Sequence, residues 1–122
     1  MRHNKRDVAD LLPLTPAVFH ILLTLCDSGK HGYAIMREVE LRSAGGVRIG
    51  PGTLYRSIQK MLDVGLVKEV ADRRGTENDD DRRRYYEMTD FGRAVAAAEA
   101  QRLAEIVREA QAKKLLPKLR ST

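Results

Sequence analysis

Tryptophan is absent from these 122 residues, cysteine occurs once, and aromatic residues make up only 5%. Aliphatic side chains must therefore supply most of any core. One cysteine excludes an internal disulfide and a cysteine-based metal centre. Cys26 lies in an apolar run and reads as a buried small hydrophobe in a reducing compartment. No stretch approaches the roughly 20 apolar residues of a membrane span. Residues 1–10 mix basic and acidic side chains and lack the apolar run of a signal peptide. The expectation is a soluble, cytoplasmic protein with no membrane partner. Also missing are a phosphate-cradling glycine loop, a nucleophile paired with a base, and a Cys/His set at metal-ligand spacing. An enzyme is the class least supported, and no cofactor or metal is called for. The run Asp79, Asp80 and Asp81 does not change this, because consecutive carboxylates on one loop make poor ligand geometry.

What is present suits one folded domain. Hydrophobic residues reach 43% and charged residues 32%, too apolar for a disordered chain and too short for two ordinary domains. Lys and Arg number 22 against 17 Asp and Glu, a net charge of +5. That excess permits binding to nucleic acid without requiring it.

Residues 1–13 are polar, mixed in charge and end at Pro13, which reads as a flexible N-terminal arm with room for one helical turn. Thr15-Pro16 supplies an N-cap and a proline at the first helical position. In the helix over 17–26, Val18, Ile21, Leu22 and Leu25 form one stripe, and Phe19, Leu23 and Cys26 a second. A helix apolar on two sides needs two covers. One is the domain's own core; the other fits a second subunit. His20 falls at a helix interface in this scheme. Asp27-Ser28-Gly29 stops the helix. A second helix spans 32–42, with Tyr33, Ile35, Met36 and Val39 inward and His31 at its start, until Ser43-Ala44-Gly45-Gly46 breaks it. Val47-Arg48-Ile49 is extended, and Gly50-Pro51-Gly52-Thr53 turns into a third helix.

That third helix has the clearest pattern. Leu54, Ile58, Met61, Leu62 and Gly65 share a face, and Gly52, Arg56, Gln59, Lys60 and Asp63 lie opposite with Thr53 and Ser57 beside them. Gly65 stands where a left-handed C-cap belongs. A strand follows over 66–71, then a polar loop over 72–81, then a strand over 82–88 with Arg84, Tyr86 and Met88 on one face. This is a hairpin with a long tip. Thr89 caps a last helix over 90–115, ended by Pro117, with Ala96, Leu103, Ile106, Val107 and Ala110 as an apolar stripe flanked by Glu99, Arg102 and Glu105. Such a helix, at roughly 25 residues nearly 40 Å long, outreaches a domain this small, so its far end belongs against another chain.

The predicted fold class is mainly α with a small β-hairpin: a winged helix-turn-helix with a long C-terminal dimerisation helix. The expected divisions are the arm over 1–13, a DNA-binding domain over 14–88, and the dimerisation helix and tail over 89–122. Here a family resemblance enters. His31-Gly32-Tyr33-Ala34-Ile35, Gly52-Thr53-Leu54-Tyr55, Gly65-Leu66-Val67, Arg83-Arg84-Tyr85-Tyr86 and Met88-Thr89 with Gly92 stand in the order and spacing seen in PadR-like transcriptional regulators. The resemblance covers residues 12–110. It implies a homodimeric repressor whose recognition helix begins near Pro51 and whose N- and C-terminal helices make the dimer. The family often has proline after Gly-Thr-Leu-Tyr, where this chain has Arg56. That change adds a cation to the outer face of the helix. The missing tryptophan removes the residue with which some members stack aromatic drugs.

The candidate DNA-binding residues are Pro51, Gly52, Thr53, Tyr55, Arg56, Gln59 and Lys60 on the third helix, with Arg73, Arg74 and Arg83 in the hairpin. Arg and Gln read guanine and adenine edges bidentately, and a major groove admits a helix. Hairpin arginines suit phosphate or a minor groove, although the acidic run at the tip repels DNA and also suits a merely solvated loop. Tyr55 is either core or a phosphate contact; Tyr86 is core. The dimerisation candidates are Val18, Phe19, Leu22, Leu103, Ile106, Val107 and Ala110. The expected partners are double-stranded DNA at a pseudo-palindromic operator, a second copy of the chain, and a small-molecule inducer between the subunits. The competing reading is a winged helix used for protein–protein contact, an adaptor without DNA binding.

Overall fold

The computed structural model describes residues 7–71 and 84–117, so Arg73, Arg74 and Arg83 and the tip of the hairpin lie outside the described residues. Helix α1 spans Pro16–Thr24, strand β1 Lys30–His31, helix α2 Gly32–Arg42 and helix α3 Pro51–Asp63. Strands β2 (Val67–Val70) and β3 (Tyr85–Met88) follow, and helix α4 runs Asp90–Ala112.

Local chemistry sets these boundaries. The Thr15 hydroxyl accepts from the Val18 N–H, and Pro16 opens α1 with an N–H it does not need to donate. Thr89 likewise accepts from the Gly92 N–H at the start of α4, where Asp90 also faces the positive end of the helix dipole. Gly65 ends the third helix region at φ +85°, the left-handed conformation that glycine adopts without a Cβ penalty.

The core is aliphatic, as the scarcity of aromatics requires. Ile21, Leu22 and Leu25 from α1, Ile35 and Val39 from α2, and Leu54, Ile58 and Met61 from α3 are buried together with Val67, Tyr86, Val95 and Ala96. Helix α1 packs against α2, α3 and α4 at once. Cations close its C-terminal end. Lys30 Nζ donates to the Thr24 carbonyl at 3.1 Å, Arg42 Nη2 to the His20 carbonyl at 3.2 Å, and Arg93 Nη2 to the Cys26 carbonyl at 2.9 Å. Three of the chain's basic side chains are thereby committed to holding α1, the favourable place for positive charge on a helix.

The structure departs from the sequence reading at several points. Tyr33, expected inward, is 65% exposed, because α2 turns Ile35 and Val39 to the core and Tyr33 falls outside their arc. The expected two-stranded hairpin is a three-stranded antiparallel sheet in the order β1-β3-β2, with Lys30 opposite Tyr86 and His31 opposite Tyr85. The N-terminal arm, expected to be flexible with room for one helical turn, holds that turn as a 3-10 turn at Val8–Leu11, but the turn packs on α4. Val8, Leu11 and Leu12 supply apolar contacts there that a polar-looking segment conceals. Glu99, read as a charged residue flanking the apolar stripe of α4, is buried with that stripe's N-terminal end.

Candidate nucleic-acid interface

Helix α3 is anchored on one side and open on the other. Leu54, Ile58 and Met61 are at most 2% exposed, and burying each such side chain contributes about 1.5–3 kcal/mol. The helix therefore cannot rotate about its axis without a large loss, and its outer side chains are held in direction by the core beneath them. Pro51, Gly52, Thr53, Tyr55, Arg56, Gln59 and Lys60 are all exposed. The structure thus brings together on one face every candidate that the sequence placed on this helix.

Two of these side chains have defined local seats. A Cβ added at Gly52 would stand 3.5 Å from Arg56 Nη1, so the guanidinium folds back over the first turn of α3. Gln59 Nε2 donates to Asp63 Oδ1 at 3.2 Å, an exposed contact that is easily exchanged. Tyr55 resolves between core and surface in an intermediate way. It is 47% exposed, yet a Cβ at Gly32 would collide with its hydroxyl. The phenol rests on the first turn of α2, which only glycine leaves room for, and this contact fixes α3 against α2.

Beside α3 stands the base of the wing. Strands β2 and β3 pair in the register Val67–Met88, Lys68–Glu87, Glu69–Tyr86 and Val70–Tyr85. Tyr86 is buried, as its alternation with Arg84 and Met88 predicts. Burial first, then the Glu69 carboxylate, raises the pKa of its phenol above the ordinary tyrosine value and keeps it protonated. Arg84 Nη1 lies 3.0 Å from Glu69 Oε2 and 3.3 Å from Oε1. The sequence reading did not select Glu69. Only the strand register puts it across from Tyr86 and within reach of Arg84.

Among the dimerisation candidates the structure separates two groups. Leu22 is fully buried in the chain's own core, so its side chain is not available to a partner; α1 packs against α2, α3 and α4 around it. Val18 and Phe19 are half-buried and pack on that core. Ile106 is 48% exposed, and Leu103, Val107 and Ala110 are half-buried on the same helix. The buried residues of α4 end at Glu99.

Three helices around an aliphatic core, with α2 and α3 forming the turn and a small antiparallel sheet flanking α3, define a winged helix-turn-helix. Comparison with known proteins gives the family. The model of the transcriptional regulator PadR-like family matches residues 21–98. The transcriptional regulator Rv3488 of Mycobacterium tuberculosis is 34% identical over 93 residues, covering 74% of this chain and 78% of that protein. The fold is similar to a PadR family regulator of Clostridium difficile (TM-score 0.66, 19% identity, 80% of this chain and 96% of that one). It is also similar to PadR of Bacillus subtilis solved in complex with operator DNA (TM-score 0.60, 20% identity, 70% of this chain and 47% of that one). The chain belongs to the PadR-like family of transcriptional regulators, a family of transcription factors rather than enzymes.

Proposed function

We propose that this regulator is a homodimeric repressor that inserts α3 into the major groove of a pseudo-palindromic operator. The observation that carries the reading is the outer face of α3. Thr53, Arg56, Gln59 and Lys60 are exposed together on a helix whose opposite face is locked in the core. Guanidinium and ammonium groups donate to phosphates and base acceptors, and hydroxyl and amide groups can both donate to and accept from base edges. A second copy supplies the symmetry. The half of α4 beyond Glu99 has no buried residue, while Leu103, Ile106, Val107 and Ala110 still present an apolar stripe there.

Selection of bound sequences from random DNA tests this directly. The expected result is a pseudo-palindrome whose half-sites lie about 34 Å apart, one helical turn. Affinity should fall with salt at a log–log slope of roughly −0.9 per phosphate contact. An adaptor that uses the winged helix for protein contact would enrich no sequence and bind duplex weakly at every salt concentration.

A further inference from the structure

Between α3 and the sheet lies an open cleft lined by Tyr55, Ile58, Gln59 and Leu62 from the helix side and Glu69, Arg84 and Tyr86 from the wing. We propose that this cleft is a seat for a DNA phosphate, in which Arg84 makes the contact and Glu69 is the resident counter-anion that DNA must displace. Glu69 then sets the affinity from the unfavourable side. The inference rests on the reading of α3 as the DNA-entering helix and adds a determinant to it.

The chemistry of the lining carries the argument. Arg84 is the one cation and Glu69 the one anion among those lining residues. Ile58, Leu62 and the buried ring of Tyr86 form an apolar floor. Tyr55 and Gln59 add a phenol and an amide at the rim, continuous with the exposed face of α3. A phosphodiester is an acceptor-only anion, matched by a guanidinium and by neutral donors. The Glu69 carboxylate is also an acceptor-only anion, so both compete for the same Nη1 group. Both partners of the pair are solvent-exposed, at 58% and 39% of their side chains. Exposed pairs of this kind are held weakly and exchange readily. The free protein therefore keeps Arg84 neutralised, and contact with DNA releases Glu69.

The same strand pair offers a control. Lys68 and Glu87 face each other at 4.0 Å, one residue along from Glu69 and Tyr86 and so on the other face of the sheet. E87Q changes net charge by the same unit as E69Q without touching the cleft.

The test measures binding of the full-length chain to a random-sequence DNA duplex across a salt series, because phosphate contacts are sequence-independent. E69Q should bind roughly two- to five-fold tighter than wild type at low salt, with the gap closing as salt rises. R84A should bind more weakly and lower the log–log slope by about 0.9 per wing contact. E87Q should gain less than E69Q. Thermal melts confirm that each exposed substitution leaves the fold intact. E69Q binding no tighter than E87Q, or R84A retaining the wild-type slope, overturns the proposal while leaving the α3 reading standing. Wild-type protein that binds no duplex at any salt overturns both.

Discussion

Arg56 and Lys60 show how the core determines what a surface residue can do. They stand four positions apart on α3, opposite Leu54, Ile58 and Met61, so the buried stripe fixes them outward together. Their chemistry differs. The guanidinium of Arg56, folded over the first turn beside Gly52, has the planar fork that reads guanine, and a bidentate pair of that kind discriminates by about 1–3 kcal/mol. The ammonium of Lys60, further along the helix, acts as a point charge. Arg56→Ala should relax base preference at one position per half-site, read by repeating the random-sequence selection. Lys60→Ala should weaken binding to all sequences alike, read from affinity and salt slope. Neither residue lies on the apolar stripe, so both variants should melt like wild type. An Arg56→Ala protein with unchanged sequence preference would remove Arg56 from base readout.

At the scale of elements, α4 and the segment before α1 are joined by one carboxylate. Glu99 is 2% exposed. Its oxygens accept from Arg102 Nε at 2.7 Å and Nη2 at 2.8 Å, a two-pronged contact one helical turn away. The Leu14 backbone lies near enough to lower its pKa further. These contacts, the Arg102 hydrogen bonds foremost, lower the Glu99 pKa below the ordinary glutamate value even though burial alone would raise it. A carboxylate held below its unfolded value adds stability above the ordinary carboxylate range and loses it as pH falls through its own lowered pKa. Glu99→Gln should therefore lower stability at neutral pH by about 1–2 kcal/mol, a charge-assisted hydrogen bond discounted for the solvent-facing guanidinium. In thermal melts the gap between variant and wild type should narrow as the solution is acidified into that range. A gap that is constant with pH would show that the charge of Glu99 contributes nothing.

Taken as a whole, the molecule buries one end of α4 and leaves the other uncovered. The helix has 23 residues, about 34 Å, and the domain covers only the part up to Glu99. Past that point Ile106 is half-exposed and Leu103 and Val107 only partly covered, a surface suited to the same stripe of a second copy. Replacing Leu103 and Ile106 together with Asp should give monomers in light scattering. The winged-helix core should keep its melting transition, since neither side chain is buried in it. A double variant that remains dimeric would move the interface away from α4. Because operator binding by a dimer multiplies two half-site contacts, the monomeric variant should also lose most of its affinity for a full site while retaining salt-dependent binding to one half.

Helices α2 and α3, the caps at Thr15 and Thr89 and the left-handed Gly65 were determined by the sequence alone. Each depends on residues within a few positions of one another, where periodicity and capping chemistry act. The exposed face of α3 was legible for the same reason: once Leu54, Ile58 and Met61 are inward, the opposite residues have no other place. Contacts between distant segments were decided only by the tertiary structure. Strand β1 is two residues long, too short for any alternation to mark it, and it exists because β3 has a free edge beside it. Leu22 looked like one apolar residue of a two-sided helix, and only the packing of α1 against three other helices assigned it to the chain's own core. Glu99 reads as surface charge until residue 14 is brought against it. Glu69 meets Arg84 across 15 positions of chain, through a strand register that local pattern does not specify. Local geometry is written in local sequence; which acid neutralises which base depends on the fold that brings them together.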